Sequence, residues 1–155
     1  MLLAVFSDTH GVTDRAAAAV RRAAPDMIIH LGDFTRDADV LQKEFPHIEL
    51  RSVRGNCDLA SVAPVSQLFF AGETKLFIAH GHSYGVKHGL DSFQNAAGFS
   101  GARLAMFGHT HHAVYFEEGD VHFLNPGSAG CPPRATWALA ELSPGGAITC
   151  RILAL

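Results

Sequence analysis

Five short strand-like runs, each ending at a glycine beside Asp, Asn or His, limit the folds open to this chain more than any other feature. Leu2 to Phe6 gives way to Ser7-Asp8-Thr9-His10-Gly11, and Met27 to Leu31 to Gly32-Asp33. Leu50 to Arg54 ends in Gly55-Asn56-Cys57-Asp58, Lys75 to Ala79 in His80-Gly81-His82, and Leu104 to Phe107 in Gly108-His109-Thr110-His111. The runs are short and mostly apolar without alternation, the pattern of strands covered on both faces. Between them, Thr13 to Ala24 (closed by Pro25, with Thr13 or Asp14 near the N-cap), Asp37 to Phe45 (stopped by Pro46) and Leu90 to Phe99 read as helices. Ile48 to Val53 is the expected third strand. Three hairpins are expected: Gln67 to Ala71 with Lys75 to Ala79, Ala113 to Glu117 with Val121 to Leu124, and Thr136 to Leu142 with Ala147 to Leu153. The order β-α-β-α-β followed by antiparallel hairpins predicts an α/β protein, two packed sheets with helices outside. At 155 residues the chain has the length of one domain, 1–155.

In an α/β sheet the carboxyl ends of the parallel strands share one edge, where ligands bind. Asp8, His10, Asp33, Asn56, His80, His109 and His111 should therefore converge. Singly each has an ordinary explanation: a turn aspartate at Asp33, a left-handed turn at Asn56, an N-cap and a surface histidine at Asp8 and His10. Five such blocks at five strand ends point instead to a metal site. Seven N and O donors exceed the needs of one tetrahedral zinc and suit two divalent ions with water, Asp33 being the natural bridge. Mixed Asp, Asn and His donors make manganese the first expectation, with iron, nickel and zinc open. Such a pair can generate a bridging hydroxide and clamp a phosphoryl group.

Composition narrows the partners. Twelve basic against 15 acidic residues leave a charge of −3, which excludes tight general nucleic-acid binding. Cys57, Cys131 and Cys150 form an odd set without paired spacing, which fits a reducing cytoplasm; Cys131 and Cys150 read as packing residues. The N-terminus lacks a basic leader and no apolar run reaches eighteen residues, so no membrane partner is expected.

The ordered set Asp8-x-His10, Gly32-Asp33, Gly55-Asn56-x-Asp58, His80 and Gly108-His109-x-His111 resembles the calcineurin-like metallophosphoesterase superfamily. The short length, His80-Gly81-His82 and Asn125-Pro126-Gly127-Ser128 resemble its small bacterial and archaeal phosphodiesterases. The resemblance implies an α/β-β/α four-layer sandwich and hydrolysis of phosphodiesters. It implies one metal on Asp8, His10, Asp33 and His111 and another on Asp33, Asn56, His80 and His109. Larger phosphatases carry a histidine where this chain has Cys57, oriented by the aspartate matching Asp58; that histidine is thought to protonate the leaving group. Cys57, Asp58, Asn56 and His82 are accordingly the catalytic candidates, with Asp58 expected to fix its loop or a ligand. A thiol is the poorer acid, so small diesters with good leaving groups are the expected substrates. A protein-binding module on the same fold is the alternative, a retromer subunit being similar, and a homo-oligomer is left open. His30 is expected in the core, and His47, His88 and His122 at surface or loop positions. His112 is expected at the rim, and Arg134 either exposed or near a phosphate.

Overall fold

The computed structural model describes residues 1–131 and 133–155; Pro132, beside Arg134's loop, lies outside them. The first half consists of β1 (Leu2–Phe6), α1 (Asp14–Ala23), β2 (Met27–His30), α2 (Thr35–Glu44), β3 (Glu49–Ser52), β4 (Ser66–Ala71) and β5 (Thr74–Ala79). A short 3-10 turn at His82–Tyr84 follows, then α3 (Asp91–Ser100), β6 (Leu104–Met106), β7 (Val114–Glu118), β8 (Val121–Asn125), β9 (Thr136–Leu142) and β10 (Ile148–Ala154). One sheet has the order β10-β9-β1-β2-β3 and the other β4-β5-β6-β8-β7. In the first, β1, β2 and β3 are parallel; in the second, β5, β6 and β8 are. No helix among the described residues is long and apolar enough to cross a membrane.

The unbroken apolar runs follow from the layering. Leu3 and Val5 of β1 pack between the sheets with Ile29, Leu76, Ile78, Leu104 and Met106. Ala4 and Phe6, on the opposite face of the same strand, pack under the helices against Ala16, Val20, Leu41 and Trp137. The Phe6 and Trp137 rings stack at 5.4 Å. The second sheet repeats the arrangement: α3 seats Phe93, wholly buried, among Phe77, Tyr84, Phe107 and Phe123. The expected four layers, helices outside two mixed sheets, are therefore observed.

Three features differ from the sequence reading. The three expected hairpins form, but the last two are also built into larger sheets: β8 joins β6 in parallel, whereas β9 pairs antiparallel with β1, Leu3 opposite Ala140. The helix expected from Asp37 begins at Thr35, because the Asp58 carboxylate accepts the Thr35 amide at 2.8 Å. That cap comes from a loop 23 residues on, and no local sequence signal carries it. Cys131, expected to pack, is exposed, while Cys150 is half-buried against the inter-sheet core.

Because α3 covers the strands that carry His80 and His109, its aromatic anchor should be costly to remove. Phe93→Ala should lower stability by about 3–5 kcal/mol in urea unfolding; a loss below 1 kcal/mol would mean that this layer repacks freely.

Candidate metal centre

All five parallel strands named by sequence end at one edge, and the two sheets are stitched together there. Asp8 N–H donates to Gly32 O at 3.0 Å within the first sheet, and Gly108 N–H to His80 O at 3.0 Å within the second. Between sheets, His109 N–H donates to Asp8 Oδ2 at 3.1 Å and His80 Nδ1 meets Leu31 O at 2.8 Å. The turns are tight. Among the described residues, seven non-glycine positions have positive φ, and six of them are Asp8, His10, Asp33, Phe34, His109 and His111. Each of these left-handed conformations is strained for a residue with a Cβ, and such strain clusters at functional sites. Two glycines leave space for the carboxylates: a Cβ on Gly55 would lie 2.0 Å from Asp33 Oδ1, and one on Gly108 would lie 1.9 Å from Ser7 Oγ.

Asp8 lies at the end of the central strand of its sheet and is wholly buried. Its Oδ2 accepts from Ser7 Oγ and from His109 N–H. Its Oδ1 has no hydrogen-bond partner, although it lies 3.1 Å from His111 Nε2 and 3.9 Å from His80 Nε2. The His80 tautomer follows from its carbonyl partner. Leu31 O can only accept, so Nδ1 carries the proton, and in the neutral ring Nε2 presents a lone pair. That lone pair lies 3.5 Å from Asp33 Oδ1 and 3.2 Å from His109 Nδ1. Burial, with His80 second, lowers the His109 pKa to about 4, so the His109 ring is neutral at physiological pH. Burial opposes ionisation of Asp33, but the Cys57 amide and His80 outweigh it and hold the carboxyl below the usual range.

Two groups of donor atoms lie close enough to share an ion: Asp8 with His10 and His111, and Asp8 with Asp33 and His80, each set within 4.8 Å. Asp8 is common to both groups, where the sequence reading makes Asp33 the shared carboxylate. Asp33 Oδ1 is partly engaged by Cys57 N–H at 2.9 Å. His109 adjoins the second group. Asn56 is exposed, with its amide 3.4 Å from Cys57 Sγ. His82 sits at the margin, its ring 5.4 Å from that of His80 and 6.2 Å from that of His109, with a buried Nδ1 that has no partner. Asp58 is buried and turned away from reaction chemistry. Its oxygens take Gly55 N–H, Thr35 N–H and Thr35 Oγ1, so it positions the loop of Asn56 and Cys57 and contacts no histidine among the described residues.

The sequence reading passes over the residues that hold this edge in place. Buried His30 accepts Gly32 N–H at Nδ1, 3.3 Å, so Nε2 donates to Thr9 Oγ1 at 3.0 Å. Thr9 Oγ1 in turn donates to Asp37 Oδ2 at 2.7 Å, which also accepts Gly11 N–H. This chain of bonds ties the loop carrying Asp8 and His10 to the loop carrying Asp33. Asn125 Nδ2 donates to Gly108 O and Thr110 Oγ1, and Ser128 Oγ to Asp8 O. The Asn125-Ser128 turn thus supports both histidine and aspartate loops. Among the remaining histidines, His47, His88 and His112 are exposed, as is Arg134. His122 is instead a half-buried strand residue, held by Tyr115 Oη at 2.7 Å.

Residues 1–145 match the family described as calcineurin-like phosphoesterase superfamily domain. The chain belongs to that superfamily. This phosphoesterase is 33% identical to the probable metallophosphoesterase YsnB of Bacillus subtilis, over 85% of this chain and 77% of that protein. It is 27% identical to the phosphodiesterase YfcE of Escherichia coli, over 85% and 81%. A solved predicted phosphoesterase from Streptococcus pneumoniae superposes with TM-score 0.85 at 26% identity, over 99% of this chain and 88% of that one. Vps29 of Entamoeba histolytica complexed with zinc shares the fold, with TM-score 0.80 at 19% identity over 99% of both chains.

The network has a pH signature. Burial lowers the His30 pKa from 6.5 to about 4. Between these values the unfolded chain binds the proton that the folded one refuses, so stability rises with pH across that window and is lost as pH falls through it. The phosphoesterase domain should lose about 3 kcal/mol from this one group between pH 7 and pH 4. Urea unfolding should show a flatter pH dependence for His30→Gln; an unchanged slope would assign the acid sensitivity elsewhere.

Proposed function

We propose that this phosphoesterase hydrolyses phosphodiesters with two divalent cations held by Asp8, His10, Asp33 and His111 and by Asp33, Asn56, His80 and His109. The observation that carries the reading is Asp8 Oδ1, a buried carboxylate oxygen without a hydrogen bond, set among histidine nitrogens. An unsatisfied buried polar atom costs about 1–3 kcal/mol, more for a charged group, and a cation at this point would satisfy it. Manganese suits the mixed oxygen and nitrogen donors best, and iron, nickel and zinc fit the same set. Cations held there would supply an activated water near neutral pH and neutralise charge on the phosphoryl oxygens.

The chain's own groups define the rest of the site. Ser7 Oγ and the His109 amide orient the Asp8 carboxylate, and Leu31 O fixes the His80 ring with Nε2 toward the centre. The amide of Cys57 holds Asp33. Asn56, on the same loop, would complete the second set through its amide oxygen. Burial, and then His80, lowers the His82 pKa, so at neutral pH it faces a substrate as an uncharged ring with one N–H to give. Partial desolvation and the Asp33 carboxylate push the Cys57 thiol up to about 11. It is a protonated thiol at pH 7 and a weak acid toward an alkoxide, which favours esters whose alcohols leave unaided.

A protein-binding scaffold without catalysis draws on the likeness to Vps29, but that likeness carries the fold alone. The unpartnered Asp8 Oδ1 and the six left-handed residues, gathered in three turns, lower stability, and a bound cation would offset part of that cost.

Manganese should raise the melting temperature of the dialysed protein, by the linkage that gives about 2.7 kcal/mol at a hundredfold excess over Kd. Asp8→Asn should abolish both this response and hydrolysis of bis(4-nitrophenyl) phosphate, while the cation-free variant melts no lower than the wild type. A wild-type protein indifferent to divalent ions would overturn the cation reading. Cys57→His should increase turnover of alkyl relative to aryl esters; an unchanged ratio would remove position 57 from leaving-group chemistry.

A further inference from the structure

Beside the proposed cation centre, and outside it, an open cleft of about 500 Å³ runs between the start of α2 and the loop after β3. Its lining is mixed, with Arg36, Asp39 and Asp58 beside Phe34, Leu59 and Val62. Phe34 forms the wall shared with the centre: its ring meets the His10 ring edge-on at 5.1 Å, and its backbone is held at φ 69° immediately after Asp33. The Arg36 guanidinium lies over the same ring at 4.5 Å. The same cleft is lined by Leu59 and Val62, 92% and 103% exposed, and by Cys57, Asp39 and Asp58. An exposed leucine or valine alone signifies little. Here two of them line one cleft with an aromatic ring that meets the His10 ring.

The loop bearing them is built to stay in place. Asp58 ties it to Gly55 and to the first amide of α2, Arg54 N–H bonds Pro64 O, and Ser61 N–H bonds Asp58 O. The apolar pair is therefore presented on an anchored turn.

We propose that this cleft is a substrate subsite that takes a planar aromatic group attached to the phosphoryl, a nucleobase-bearing or other aryl alcohol, with Phe34, Arg36, Leu59 and Val62 lining it. The proposal rests on the reading of the centre as the place where a phosphoryl group binds. A planar π-face suits this lining, since it stacks on aromatic and guanidinium groups and excludes water from aliphatic ones. The volume fits one nucleoside-sized group and is too small for a longer oligonucleotide. An aliphatic ester would leave the Arg36 and Phe34 faces without a matching partner. The subsite selects the alcohol portion of the ester, and the cation centre selects the phosphoryl.

Calorimetric titration of the zinc-loaded protein with phenylphosphonate and methylphosphonate tests this, since neither probe can be hydrolysed. The wild type should bind phenylphosphonate about tenfold more tightly than methylphosphonate. In Leu59→Ser/Val62→Ser, and independently in Arg36→Ala, the ratio should fall to about twofold or less, within the range of a lost stacking or apolar contact. Phe99→Ser removes an equally exposed apolar side chain on α3, remote in sequence from the cleft, and should keep the wild-type ratio. No aryl preference in the wild type, an unaltered preference in the cleft variants, or failure to bind either phosphonate would overturn the proposal. Aryl preference lost in the variants without any diester hydrolysis by the wild type would uphold the subsite and reject the hydrolase reading. Hydrolysis without aryl preference would do the reverse.

Discussion

The Asp8 carboxylate is the constraint around which the rest of the structure is arranged. It lies at the end of a strand buried on both faces, and has one oxygen fully used and one without a hydrogen bond. Burying such a group is unfavourable unless its surroundings are fixed and a partner arrives. The surroundings are fixed from both sheets: Gly32 O and Ser128 Oγ hold its backbone, and Ser7 Oγ and the His109 amide hold its side chain. Gly108 must be glycine because Ser7 Oγ occupies the place of its Cβ. The two-sheet architecture can thus be understood from this point, since only a second sheet brings His80, His109 and His111 to a carboxylate on the first.

Stability is given up locally for this arrangement and recovered elsewhere. Six left-handed non-glycine residues and facing lone pairs are concentrated at one edge. The opposing contribution comes from three apolar layers, in which Leu3, Phe6, Ile29, Phe93 and Phe107 are almost completely removed from water. Each such side chain contributes about 1.5–3 kcal/mol on burial. The His30-Thr9-Asp37 chain spends buried polar groups to hold two loops in register, and every member of it is hydrogen-bonded.

Much of this was legible in the sequence, for reasons that can be named. Continuous apolar runs are what a doubly covered strand requires, and β1, β2, β5 and β6 all show them; β9 was placed at Thr136–Leu142 by the same pattern. A polar residue beside glycine at one strand end is ordinary turn chemistry, but five such blocks at five strand ends allowed Asp8, Asp33, His80, His109 and His111 to be assigned to one edge. Less visible were interactions between residues far apart in sequence. The Asp58 cap that starts α2 two residues early, the crossing of β9 to β1, and the Asn125 amide on Gly108 O join segments with no local signature of one another. His30 looks in sequence like any core residue, because only its partners reveal what it ties together.

The sequence by itself determined the alternation of strand and helix, the residues available for chemistry and the strand ends that carry them, because periodicity and turn chemistry are local properties. The tertiary structure decided how those ends face one another. It left Asp8 Oδ1 bare, made Asp8 the residue common to both donor groups, gave His80 its tautomer through Leu31 O and turned Asp58 into a loop anchor. It also gathered Phe34, Arg36, Leu59 and Val62 around one cleft. Those outcomes depend on distances between strands of different sheets, and such distances are fixed only when the apolar layers pack.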